Sequence, residues 1–147
     1  MIFVDSNVFV IALRYPRDRN ARSNRAFLDR IAQQGDGVTS VVNVLETSGI
    51  LSFNLNETQL RALFAYFGRR FSVQVLPEDH ATRPVMPAAA QTILARMARR
   101  MSFGDALVAE AVERFAPASR MFVSWDAQHF RDKLAIPAVT PRQFLAG

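Results

Sequence analysis

The apolar positions of this chain change period repeatedly, and each change marks an element. Ile2-Phe3-Val4 is an unbroken apolar run, the signature of a strand buried on both faces, although a buried helix shares it over so short a length. The run stops at Asp5. Ser6 and Asn7 follow, both good helix N-cap types, and Val8, Phe9, Ile11 and Ala12 then fall close to a helical pattern. Asn24, Phe27, Leu28 and Ile31 stand at i, i+3, i+4, i+7 and predict a second helix, ended by Gly35-Asp36-Gly37. Val38-Thr39 reads as a short strand, after which Ser40 can cap a third helix through Val41, Val42, Leu45, Glu46 and Gly49 to about Leu51. A fourth helix runs from Glu57 to about Arg69, with Leu60, Leu63, Phe64 and Phe67 as a stripe for the core or for a subunit interface. Phe71, Val73 and Val75 alternate with polar residues, which reads as a strand nearer the sheet edge. Pro77 to Pro87 is a connector. A fifth helix covers Ala88 to about Arg100, with Ala90, Leu94, Met97 and Met101 on one face, and Ser102 opens a sixth that ends near Phe115-Ala116-Pro117. Met121-Phe122-Val123-Ser124 is a second strand of the buried type, with Asp126 just beyond it. A helical turn to Phe130, a short Ala138-Val139 strand and a tail ending in Phe144-Leu145 complete the chain.

Strands that alternate with helices imply an α/β fold with a parallel sheet and right-handed crossovers. At 147 residues the expectation is one domain, 1–147, able to bury about two-thirds of its unfolded surface. Half of the residues are hydrophobic, which argues against disorder, and no cysteine is present, which excludes disulfides and thiolate metal sites. The apolar start has no basic segment before it and is interrupted by Asp5, unlike a signal peptide. No apolar run approaches the roughly 18 residues of a membrane span. The expected location is therefore the cytoplasm, with no membrane partner.

Charge sharpens the picture. The chain carries a formal net charge of +5, and Lys133 is the only lysine among its 18 basic residues. A positive field favours a polyanionic partner such as nucleic acid, and arginine's planar fork suits phosphate. The preference for arginine over lysine has a second source of equal weight, codon bias in a GC-rich genome, but that leaves the field in place.

Four acids then stand out. Asp5 leaves the end of a strand and enters a helix, which puts it at the carboxyl edge of a sheet, where open α/β folds keep their ligands. Asp126 follows its strand in the same way, so the two acids are expected side by side; a turn aspartate is the competing account. Glu46 lies inside a helix with no basic residue three or four positions away, and an inward carboxylate without a partner costs several kcal/mol; it either meets a cation or reaches water at the margin of the core. Asp105 heads an apolar helix face formed by Val108, Ala109 and Val112, while Ser102-Phe103-Gly104-Asp105 also fits a variant of the capping box, leaving ligand and cap both open and compatible. Ser6 and Ser124 are hydroxyls at the same edge that either hold the acids or a water, or cap. Four converging acids repel unless a cation sits among them, and oxygen donors without Cys or His select Mg²⁺ or Mn²⁺. A basic surface around an acidic metal site suits phosphodiester cleavage.

Other candidates carry less. His80 and His129 lack metal-ligand spacing. Glu78 and Asp79 look like dipole partners of a following helix, and Arg96, Arg99 and Arg100 approach the start of the Asp105 helix, where they either contact phosphate or form a solvated face. Gly-rich phosphate loops, G-x-S-x-G and H-E-x-x-H are all missing.

Taken together, Ile2-Phe3-Val4-Asp5-Ser6-Asn7-Val8, Val44-Leu45-Glu46, Ser102-Phe103-Gly104-Asp105-Ala106-Leu107-Val108-Ala109 and Phe122-Val123-Ser124-Trp125-Asp126-Ala127-Gln128-His129-Phe130 resemble the PIN-domain family, and the size and layout resemble its VapC-type ribonuclease toxins. The resemblance spans nearly the whole chain. It implies a three-layer α/β/α fold around a parallel sheet of about five strands, and a Mg²⁺- or Mn²⁺-dependent endoribonuclease. It further implies a homodimer and a cognate antitoxin that occludes the active site. The family's metal-site acids map onto Asp5, Glu46, Asp105 and Asp126, with Ser6 (where threonine is common) and Asn7 in support. Trp125 departs from the polar or basic residue often found before the fourth acid. Two other readings stay open: a degenerate domain that binds RNA or protein without cutting, and a phosphatase of the haloacid-dehalogenase type. The latter normally needs a second acid where Asn7 stands.

Overall fold

The computed structural model describes residues 1–147. Five short strands, β1 (Ile2–Val4), β2 (Gly37–Ser40), β3 (Gln74–Leu76), β4 (Met121–Val123) and β5 (Ala138–Val139), form one sheet in the order β3-β2-β1-β4-β5. All four pairings are parallel; Phe3, in the middle of β1, lies opposite Val38 on one side and Phe122 on the other. The eight helices are α1 (Ser6–Arg14), α2 (Ala21–Gln34), α3 (Val41–Leu51), α4 (Glu57–Phe71), α5 (Ala90–Ala98), α6 (Phe103–Phe115), α7 (Ala127–Phe130) and α8 (Pro141–Ala146). This is the three-layer arrangement with a central parallel sheet.

The pleat of β1 explains its unbroken apolar run. Phe3 points into one core with Phe122, Val38, Ile93, Ala106 and Val112, under α5 and α6. Ile2 and Val4 point into a second core with Val8, Phe9, Phe27, Ile31 and Phe67, under α1, α2 and α4. A central strand covered on both faces has no polar face to offer. Between α2 and β2 the chain turns through Gly35 at φ 65°, and a Cβ on Gly37 would run into the Ile31 side chain.

Three sequence expectations are corrected here. Phe71 does not belong to β3. It is the last residue of α4, packed 4.8 Å from Phe9 and 5.0 Å from Phe67, and the chain passes through Ser72 at φ 53° before the strand starts at Gln74. The alternation Phe71/Val73/Val75 matched a strand because helix end, turn and strand happen to bury every second residue. In α5 the inward residues are Ile93 and Arg96, while Leu94 is 56% exposed and Met97 also faces outward. Glu78 and Asp79 precede turns rather than a helix, and they pair with Gln74 and Arg83. No helix is long and apolar enough to cross a membrane.

Candidate active site

β1 and β4 are neighbours and run parallel, so the segments that leave them emerge side by side; the Asp5 N–H donates to the Val123 carbonyl at 3.0 Å. Asp5 is the N-cap of α1, with extended backbone, and is only 6% exposed. Its carboxylate accepts from the Ser6 N–H (2.8 Å) and Asn43 Nδ2 (3.0 Å) on Oδ1, and from Ser124 Oγ (2.7 Å) on Oδ2. Burial pushes its pKa up from the usual carboxylate range to about 7; the hydrogen bonds from Ser124 and the Ser6 N–H pull it down, and the charges of Glu46 and Asp105 push it further up.

Ser124 links the two strand-end acids. While donating to Asp5, its hydroxyl accepts from Asn7 Nδ2 (2.9 Å) and from the Asp126 N–H (3.0 Å). Neither Ser6 nor Asn7 is the helix cap that its residue type suggested, since Asp5 takes that position and both lie inside α1; Asn7 Nδ2 also approaches Asp126 Oδ2 (3.2 Å), and its Oδ1 accepts from the Trp125 N–H (3.0 Å). Trp125 fixes the loop from the outside. Its indole Nε1 donates to Asn24 Oδ1 (2.7 Å), Asn24 Nδ2 donates to the Val8 carbonyl (2.9 Å), and the Arg142 guanidinium lies 5.9 Å over its ring. The unusual tryptophan thus ties the fourth-acid loop to α1, α2 and α8.

Glu46 is exposed, which corrects the expectation of an inward carboxylate: it stands at the cleft rim and reaches water. It accepts from the Ser6 hydroxyl, and its Oε1 lies 3.6 Å from where a Cβ on Gly104 would be, so α3 and the start of α6 meet here. At Asp105 the two local accounts separate. Ser102 Oγ caps α6 by accepting from the Asp105 N–H (3.1 Å), while the Asp105 carboxylate makes no hydrogen bond back to Ser102 and takes no other protein donor. Cap and carboxylate are different atoms of one motif, which leaves the carboxylate free to face the cleft.

Asp5, Glu46, Asp105 and Asp126 line a single cleft of about 150 Å³, together with Ser6, Asn7, Val10, Ile50 and Val108. A larger hollow of about 230 Å³ between α1, α2 and the end of α4 holds one acid, Asp29, and lies apart from this chemistry. In the acid cleft no three acidic groups stand close enough, in their present rotamers, to enclose an ion by themselves. The donor set nevertheless fits Mg²⁺ or Mn²⁺. All the donors are hard oxygens, and Mg²⁺ is commonly held by one or two carboxylates with waters completing its octahedron.

Asn43 is the site residue that the sequence did not reveal. It is fully buried, donates to Asp5 and to Ser6 Oγ (2.9 Å), and accepts from Ser40 Oγ (2.6 Å). Its signal was an amide among Val41, Val42 and Val44, three residues before Glu46. Several other candidates lie elsewhere. His80 packs against Phe64 and bonds the Pro77 carbonyl, and His129 is exposed on α7 outside the cleft. Arg96 is neither a phosphate ligand nor solvated: it is buried and paired with Glu110 and Glu113. Arg99 bonds the Asp132 carbonyl.

No protein-family model matches the chain, and no curated protein matches it. Solved structures do. The VapBC2 structure of Rickettsia felis, bound to a DNA fragment from its promoter, is matched at a TM-score of 0.58 and 18% identity over 95% of this chain and 96% of that one. VapC20 of Mycobacterium tuberculosis, a toxin that cleaves the sarcin–ricin loop, is matched at 0.58 and 17% over 92% and 97%. FitAcB of Neisseria gonorrhoeae is matched at 0.56 and 18% over 92% and 96%. At these identities the likeness defines the fold, and it is the PIN-like fold that the sequence resemblance implied.

Proposed function

We propose that this protein is a Mg²⁺-dependent endoribonuclease, with Mn²⁺ able to substitute, and the toxin of a type II toxin–antitoxin pair. The observation that carries the reading is the convergence of four carboxylates, from four separate segments, on one cleft at the carboxyl edge of the sheet. The fold shared with VapC20, a toxin that cleaves the sarcin–ricin loop, supports it. Asp5 and Asp105, with Glu46 and Asp126, would hold the ion, directly or through water. When bound, the ion supplies Lewis acidity toward the phosphate and makes a nearby water more acidic.

The chain's own residues do the rest. Ser124, Asn43 and the Ser6 N–H aim the Asp5 carboxylate, so that its two oxygens present fixed lone pairs to the cleft. Asn7 and Ser124 hold the Asp126 loop against Asp5. No His or Lys lines the cleft to act as a general base. The test is cleavage of structured RNA with Mg²⁺ or Mn²⁺; EDTA and Asp5→Asn should each abolish it, and full activity of Asp5→Asn would sink the mechanism. The same reading carries a cytoplasmic homodimer and a cognate antitoxin, to be sought as a small DNA-binding protein encoded next to this chain that co-purifies with it and blocks cleavage.

One observation favours a second reading. The acids do not close into a cage as they stand, as expected of a degenerate domain that binds RNA or protein without cutting. Calorimetry separates the two: salt-sensitive RNA binding with no Mg²⁺ or Mn²⁺ binding selects the degenerate domain.

A further inference from the structure

A group of arginines stands where the chain leaves α1. Arg14, Arg17 and Arg19 lie in or beside the turn between α1 and α2, and none of them pairs with a carboxylate. The one acid in this turn, Asp18, directs its Oδ1 to the Asn20 N–H at 2.7 Å. Two tethers place the turn at the acid end of the sheet. On one side, Arg142, which lies over Trp125 next to Asp126, donates to Asn20 Oδ1 at 3.0 Å. On the other, Arg14 Nη1 donates to the Ile50 carbonyl at 3.1 Å. Ile50 and Val10, one helical turn before Arg14, wall the acid cleft. Arg14 follows Asn7 by seven residues, so it stands about 10 Å farther along α1.

Two exposed rings belong to the same region, one next to this arginine in sequence and one just past the Ile50 that it bonds. Tyr15 is 45% exposed, 5.6 Å beneath the Arg14 guanidinium, and Phe53, in the turn after α3 and three residues beyond Ile50, is 88% exposed. Burying such rings is favourable, so rings left in water in a region whose arginines have no carboxylate partner suit a ligand with flat apolar faces and regular negative charge. Single-stranded nucleic acid is that ligand, with bases stacking on the rings and phosphates meeting the arginines.

We propose that the α1–α2 turn and Phe53 form a subsite for the single-stranded stretch flanking the bond to be cut, with Arg14 holding a phosphate and Tyr15 and Phe53 stacking bases. This inference rests on the ribonuclease reading. The experiment measures binding of a fluorescent single-stranded RNA by anisotropy in EDTA, across a salt series, with wild type and the cleavage-dead Asp5→Asn. Arg14→Ala should weaken binding severalfold and flatten the dependence of log K on log salt by about 0.7. Phe53→Ala and Tyr15→Ala should each weaken binding roughly fivefold or more with the salt slope unchanged. Arg61→Ala, at an exposed arginine paired with Glu57 on α4, is the control and should leave binding as it is. Binding that ignores all three substitutions, or falls equally in the control, overturns the subsite, as does intact RNA binding with loss of a bound protein partner. RNA held through Arg14 and Phe53 but never cut with Mg²⁺ would overturn the ribonuclease reading and leave the subsite standing. Cleavage that tolerates all three substitutions would do the reverse, and a wild type that binds no RNA would remove both.

Discussion

Arg96, Glu110 and Glu113 form a closed set of charges between α5 and α6, whereas Asp5, Glu46, Asp105 and Asp126 gather at the sheet edge with no basic side chain lining their cleft. In the first cluster burial works against the Arg96 charge, but hydrogen bonds from the guanidinium to Glu110 and Glu113 outweigh it, and its pKa rises. A third donor, Nη1, reaches the Lys133 carbonyl at 3.1 Å and ties the post-α7 connector to the same point. In the second cluster burial and like charge act together on Asp5 and push its pKa up to about 7. One arrangement gives both of its carboxylates the same guanidinium partner and holds helices together. The other keeps a deficit of positive charge that only something from outside can supply. That contrast, rather than the number of acids, separates a structural ion cluster from a site.

The contrast can be broken by substitution. The largest effect on stability should come from Arg96→Ala, which leaves Glu110 buried without its partner and costs about 3–5 kcal/mol; urea unfolding measures it, and a change near zero would mean that the cluster is not what joins α5 and α6. Next is the pH dependence of the metal-free protein. Because the folded pKa of Asp5 is raised, the native state holds more protons than the unfolded chain between about pH 4 and pH 7. Stability should therefore fall as pH rises through that window, by on the order of a few kcal/mol, and level off above it. Asp5→Asn should flatten the slope, and saturating Mg²⁺ should offset the loss. A wild-type curve that rises with pH through the window would contradict the assignment.

Trp125→Phe should cost about 1–3 kcal/mol, because it leaves the buried Asn24 oxygen without its donor. Trp125 is the only tryptophan, so in the wild type its fluorescence offers a direct optical reading of ion binding beside Asp126. A metal titration that leaves this emission untouched would argue that Asp126 stays outside the bound set. The smallest effect, and the one of opposite sign, belongs to Asp105→Asn. In the metal-free protein it should be neutral or stabilising by up to about 1 kcal/mol, since an acid kept for function is costly to the fold. A loss of several kcal/mol would show the carboxylate itself to be part of the helix cap.

Much of this was legible before the fold was seen. A strand buried on both faces has to be apolar throughout, so Ile2–Val4 and Met121–Val123 announced themselves, and the acids just past their ends were marked by position alone. Ser40 and Ser102 were readable as caps because capping is a local interaction between a side chain and the backbone three residues on. What failed were inferences about direction. The faces of α5 could not be ranked from Ala90, Leu94 and Met97, because the decision lay with Glu110 and Glu113 on another helix, which draw Arg96 inward. The end of α4 was missed because Phe71 is held by Phe9 and Phe67, contacts that no alternation rule contains.

By itself, then, the chain determined the parallel α/β class, the two strand-end aspartates and the residue types of the cleft, because periodicity, capping and the reach of a strand are local properties. Only the tertiary structure decided that Asn43 holds Asp5, that Glu46 stays in water, that the Asp105 carboxylate is free of its cap, and that Trp125 braces the fourth-acid loop. Each of these depends on which groups the fold brings, or fails to bring, within hydrogen-bonding distance: Asn43 reaches Asp5 across 38 residues and Trp125 reaches Asn24 across 101. The packing of the sheet and its helices sets those distances.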